Sequence, residues 1–133
     1  MDQSLADRLG IRPGQIVQEI GWDEDSDDEL RAAVKERTGS ELTDEDSEDV
    51  ADVVLLWWRE GDGDLVDALS DAQAVLADGG TIWLLTPKPG RDGHVEAGDI
   101  GEDVTTAGLA HGSSVAVAEN WSATRLTGPR DRR

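Results

Sequence analysis

The run Val53-Val54-Leu55-Leu56-Trp57-Trp58 constrains this chain more than any other feature. Successive side chains of a strand point to opposite faces, so an unbroken apolar run requires both faces to be covered. A central strand of a parallel sheet, with helices on either side, meets that requirement. The run is far shorter than the roughly 20 apolar residues a membrane span needs.

The flanking sequence alternates in the same sense. After the turn at Pro13-Gly14, Gln15–Ile20 reads as a strand carrying Ile16, Val17 and Ile20. Ser26 and Glu29 form a capping-box pattern, which predicts a helix starting there, with Leu30, Ala33 and Val34 as its apolar stripe and Gly39 as its stop. Glu41–Thr43 fits a short strand, and the Asp/Glu/Ser run beyond it, up to Asp52, reads as a solvated loop or one helical turn. Past the turn Gly61–Asp64, Leu65, Leu69, Ala72 and Leu76 line a second helix that ends at Gly79-Gly80. Thr81–Leu85 is a second buried strand, leading into the turn Thr86–Gly90. Asp99 is placed to cap a short helix carrying Ile100, Val104 and Ala107, with Gly108 behind it. Ser114–Ala118 and Trp121–Leu126 form a hairpin around Glu119-Asn120.

This order predicts a three-layer α/β domain: a mostly parallel sheet, helices on both faces, and a C-terminal antiparallel hairpin. A chain of 133 residues suits one domain, here residues 1–127, with 128–133 as a disordered tail. The absence of cysteine rules out disulfides and thiolate metal sites. The first ten residues lack the basic and apolar regions of a signal peptide, so a cytoplasmic protein is expected.

Charge limits the partners. The net charge is −18, and Glu19–Asp52 alone holds 15 acidic side chains against Arg31, Lys35 and Arg37. Such a field repels nucleic-acid phosphates and anionic membranes. Basic protein surfaces and divalent cations are the partners it favours; solubility is the simpler reading of the same charge. Oligomeric state is not legible. Asp23-Glu24-Asp25-Ser26-Asp27 sets oxygen ligands at alternate positions, as in a calcium loop. The pattern then breaks, because Asp28 stands where the turn glycine belongs and Val34 where the bidentate glutamate belongs. No metal site is expected.

Pro13–Gly21 resembles the first strand and the opening of the Gly-rich loop of S-adenosylmethionine-dependent methyltransferases. Asp52–Leu85 is similar to that fold's fourth strand, helix and fifth strand, and the terminal hairpin to its closing antiparallel pair. The chain also resembles a family of small uncharacterised bacterial proteins through Gln18–Asp25 (QEIGWDED), Leu55–Arg59 (LLWWR) and Leu84–Lys88 (LLTPK). The methyltransferase resemblance implies a Rossmann-like sheet with its cofactor at Gly21. The loop Gly21-Trp22-Asp23-Glu24-Asp25 departs from it by placing aspartates where further glycines belong. Those carboxylates would face the cofactor's own, and one like-charge contact at ~4 Å costs on the order of 1–4 kcal/mol. No cofactor and no catalytic residue are expected.

The expected binding residues are Gly21, Trp22, Asp23, Glu24 and Asp25 on the acidic loop, with Lys88, Arg91 and His94 at the same carboxyl edge of the sheet. Trp22, in a polar loop, is either an exposed anchor for a partner or a cover for the sheet's edge. The expected function is a non-catalytic acidic binding or regulatory module for a basic protein. The alternative is a small-molecule-binding protein or enzyme with a reshaped cleft.

Overall fold

A computed structural model of the protein describes residues 9–24, 26–44, 50–116 and 120–127. Five strands, β1 (Val17–Ile20), β2 (Ala51–Trp57), β3 (Leu76–Pro87), β4 (Ala110–Ala116) and β5 (Trp121–Thr127), form one sheet in the order β1-β2-β3-β5-β4. Three helices are described: α1 (Asp28–Thr38), α2 (Leu65–Val75) and α3 (Ala97–Thr106).

The apolar run of β2 occupies a central position and alternates between two cores. Val53, Leu55 and Trp57 face Leu30 and Val34 of α1, together with Val17, Trp83 and Leu85. Val54 and Leu56 face Leu65, Leu69 and Ala72 of α2 and Ile100 and Val104 of α3. Leu9 and Ile11 extend the cover on the α1 face, and the Trp83 indole donates to the Leu9 carbonyl at 3.0 Å.

The sheet is mixed, which corrects the expectation of mostly parallel pairing. β1–β2 and β2–β3 are parallel; β3–β5 and β4–β5 are antiparallel and have the longer registers in total. Two features shift the balance. Glu41–Thr43 contributes only a parallel bridge from Thr43 to Gln18, not a full strand. The hairpin is longer than expected, because β4 already begins at Ala110 and β5 pairs with β3 over seven positions, Thr81 to Pro87.

Other differences lie at element ends. The cap of α1 is Asp27, whose side chain accepts from the Leu30 N–H at 2.8 Å, so the helix begins at Asp28 rather than Ser26. Gly39, left-handed at φ 84°, closes α1 as expected. Asp64 caps α2, which ends at Val75; Leu76 starts β3, and Gly79-Gly80 lies within that strand. Glu96 precedes α3 without a side-chain cap bond, and Asp99 lies in the helix's first turn. Residues 117–119 of the expected hairpin and the 128–133 tail lie outside the described residues. No described helix is long and apolar enough to cross a membrane.

Leu69 is fully buried between α2 and the sheet. Leu69→Ala is expected to cost about 2–5 kcal/mol in urea unfolding, while Asp27→Ala costs about 1 kcal/mol through its lost cap.

Candidate functional site

The carboxyl edge of the parallel strands is organised by a residue on the α1 face of β1. Period-two alternation turns Val17 and Glu19 towards α1. Glu19 is 7% exposed, and its Oε2 accepts both the Trp57 indole N–H at 2.8 Å and Arg31 Nε at 2.7 Å. A carboxylate removed from water needs such charge-assisted partners. The hydrogen bond to Glu19 raises the pKa of Arg31 further, against the desolvation that lowers it. Glu19 thereby ties β1 to β2 and to α1.

Gly21 follows at the strand's end with φ 81°, and a β-carbon there would sit 2.4 Å from the Trp57 carbonyl oxygen. Only glycine fits this approach. Trp22 is 48% exposed, with the Arg31 guanidinium 5.3 Å from its ring centroid. It is therefore both an exposed ring and part of the edge's cover.

Asp23 and Glu24 are exposed, and the loop satisfies its own donors. Asp23 N–H donates to Ser26 Oγ at 3.0 Å, Glu24 N–H to Asp23 Oδ1 at 2.8 Å, and Ser26 N–H to the Asp23 carbonyl at 3.0 Å. Asp25 lies outside the described residues.

Lys88, Arg91 and His94 occupy the loop after β3. Lys88 N–H donates to the Asn120 carbonyl, and Arg91 N–H to that of Lys88. Arg91 is exposed and lines an open depression of about 360 Å³ with Pro87, Gly90, Asp92, Asn120 and Trp121. His94 Nδ1 donates to the Pro87 carbonyl at 2.9 Å, which leaves Nε2 directed 3.8 Å from exposed Glu96.

Arg59 joins the acidic loop to the start of β5. Its Nη1 donates to the Gly21 carbonyl at 2.8 Å, its Nη2 to Ser26 Oγ at 3.2 Å, and its guanidinium lies 5.2 Å from the Trp121 ring centroid. Trp121 in turn meets Trp57 edge-to-face at 4.9 Å. Sequence reading missed Glu19, Arg31 and Arg59. A signal existed for Glu19, a carboxylate at the inward register of a strand; for the contacts of Arg59 with Gly21, Ser26 and Trp121 none did, since those residues lie 33 to 62 positions away. Among the described residues, no group of three or more His, Cys, Asp or Glu is placed to hold a metal ion.

Known proteins set this edge in context. A model for proteins of unknown function (DUF3052) matches residues 6–130. Uncharacterised proteins of Mycobacterium bovis and Mycobacterium tuberculosis are 57% identical over 129 residues, which is 97% of this chain and 81% of theirs. Among solved structures, the pyocyanin biosynthetic protein PhzM superposes with TM-score 0.69 at 13% identity, over 93% of this chain. This chain spans about half of that protein, 53% of its length. A SAM-dependent methyltransferase from Aquifex aeolicus superposes with TM-score 0.62 at 12% identity, over 92% of this chain and 86% of that one. The shared feature is the fold.

S-adenosylmethionine does not fit the residues at this edge. Two loop N–H groups are already taken, that of Asp23 by Ser26 Oγ and that of Glu24 by Asp23 Oδ1, and in the first turn of α1 the Leu30 N–H is taken by Asp27. The Arg59 side chain lies against the loop where a cofactor would approach Gly21.

Glu19→Ala is expected to destabilise the protein by about 2–4 kcal/mol, because it strands the Trp57 N–H and the half-buried Arg31. Chemical denaturation measures this, and a loss below 1 kcal/mol (roughly a surface pair's worth) would contradict it.

Proposed function

We propose a non-catalytic binding role in the cytoplasm for this protein, which belongs to the DUF3052 family of proteins of unknown function. Its acidic edge engages a basic protein surface. One observation carries this reading: the Gly21–Glu24 loop turns its donors inward and its carboxylates outward. Asp23, Glu24, Asp28 and Glu29 stand exposed around half-exposed Trp22. Such a surface attracts cations over about a Debye length, 8–10 Å, and offers one aromatic anchor. The Arg31 and Glu19 contacts beneath it hold the ring in place, which lowers the ordering cost of binding.

A small-molecule site in a reshaped cleft is the second reading. The depression between Arg91 and Trp121 favours it, because it combines a cation and an indole at the end of β3. Its volume of about 360 Å³ is near the lower limit for ligand pockets.

Titration with a lysine- and arginine-rich peptide, followed by tryptophan fluorescence, tests the first reading. Asp23→Asn with Glu24→Gln is expected to weaken binding about tenfold, equivalent to about 1.4 kcal/mol, and added salt to weaken it further. Equal affinity for both proteins, independent of salt, would end this reading. A thermal shift with S-adenosylmethionine, S-adenosylhomocysteine or nucleotides would move the case to the second, since a ligand at 100 times its Kd adds about 2.7 kcal/mol.

A further inference from the structure

A chain with 30 acidic and 12 basic residues offers each cation a choice of carboxylates. Arg91 takes none. It is exposed in the loop after β3, and among the described residues no carboxylate lies within ion-pair distance of it, that of adjacent Asp92 included. Asn120 lines the same depression of about 360 Å³. Its carbonyl accepts from Lys88 N–H at 2.9 Å, whereas no described residue bonds its side-chain amide. Two side chains rich in N–H donors therefore stand open around one hollow.

The loop is held so that these donors stay together. Arg91 N–H donates to the Lys88 carbonyl at 3.1 Å and His94 N–H to the Arg91 carbonyl at 3.2 Å, which makes two successive turns. His94 Nδ1 ties them back to the Pro87 carbonyl, and the Lys88–Asn120 bond joins them to the start of β5. Pro87 and Trp121 are partners across β3 and β5; both are buried, and both line the depression. Trp121 is set edge-to-face against Trp57. The hollow thus combines a fixed apolar wall with a polar rim.

From this arrangement we infer that the depression binds a small monocarboxylate with a flat apolar body. The inference rests on the small-molecule reading of this depression and names its ligand class; the acidic-edge reading concerns other residues. A guanidinium fork matches the two oxygens of a carboxylate, and the Asn120 amide supplies a further donor. The indole and the proline ring take the apolar body. Asp92 on the rim opposes a second negative charge, which favours a carboxylate over a phosphate. The chain's overall charge does not bar approach, because distant acids are screened beyond about 8–10 Å while Arg91 acts at contact.

Benzoate is the probe, and heteronuclear NMR reads the side-chain amide of Asn120, the chain's only asparagine. Millimolar benzoate is expected to shift that amide and the Trp121 indole while the Trp22 indole stays in place. Arg91→Gln alters an exposed side chain and is expected to weaken binding about tenfold. Asn120→Asp keeps the main-chain bond to Lys88 and is expected to weaken it as much, read at the Trp121 indole. Phenyl phosphate is expected to bind less tightly than benzoate, and benzylamine and benzyl alcohol to shift neither group. Unchanged affinity in Arg91→Gln, or tighter binding of phenyl phosphate, would overturn the assignment to a carboxylate. Shifts from benzyl alcohol or benzylamine equal to those from benzoate would overturn it too, yet keep a small-molecule site. Silence at Asn120 and Trp121 with every probe would end both the inference and the reading it rests on.

Discussion

One buried carboxylate sets the geometry of the carboxyl edge. Glu19 lies at a core-facing position of β1, where an apolar side chain would be the ordinary choice, and it is stable there because two donors converge on one oxygen. The Trp57 indole brings the end of β2 to it, and the Arg31 guanidinium brings α1. Once Arg31 is held, its far face is available to Trp22, and the acidic loop acquires a fixed ring at its centre. With the Trp57 backbone held, Gly21 must pass within a β-carbon's reach of it, which sets the loop's path. The exposed surface therefore inherits its shape from a contact beneath it.

Much of the architecture was legible because hydrophobic period is a local signal. The β2 run, the α1 stripe Leu30–Ala33–Val34 and the Gly39 stop all appear where the pattern put them. Boundaries failed where local chemistry offered two equivalent answers: Ser26 and Asp27 are both good caps, and the side chain of Asp27 is the one that reaches the Leu30 N–H. The parallel content was overestimated because Glu41–Thr43 makes a single bridge, a matter of register that short sequence patterns do not specify.

The site divides in the same way. Trp22 and the exposed carboxylates follow from local composition, and so does the position of Lys88, Arg91 and His94 after β3. Arg59 and Glu19 do not, since their roles depend on strands distant in sequence meeting at one edge. The likeness to PhzM and to the Aquifex aeolicus methyltransferase is one of fold, at 12–13% identity.

The claim that Glu19 organises this edge is tested most directly by solvent exchange at the indole N–H groups, resolved by NMR. Trp57 Nε1–H is expected to exchange only through large-scale unfolding, orders of magnitude more slowly than that of half-exposed Trp22. Exchange of the Trp57 indole as fast as that of Trp22 would mean that the buried carboxylate does not hold it.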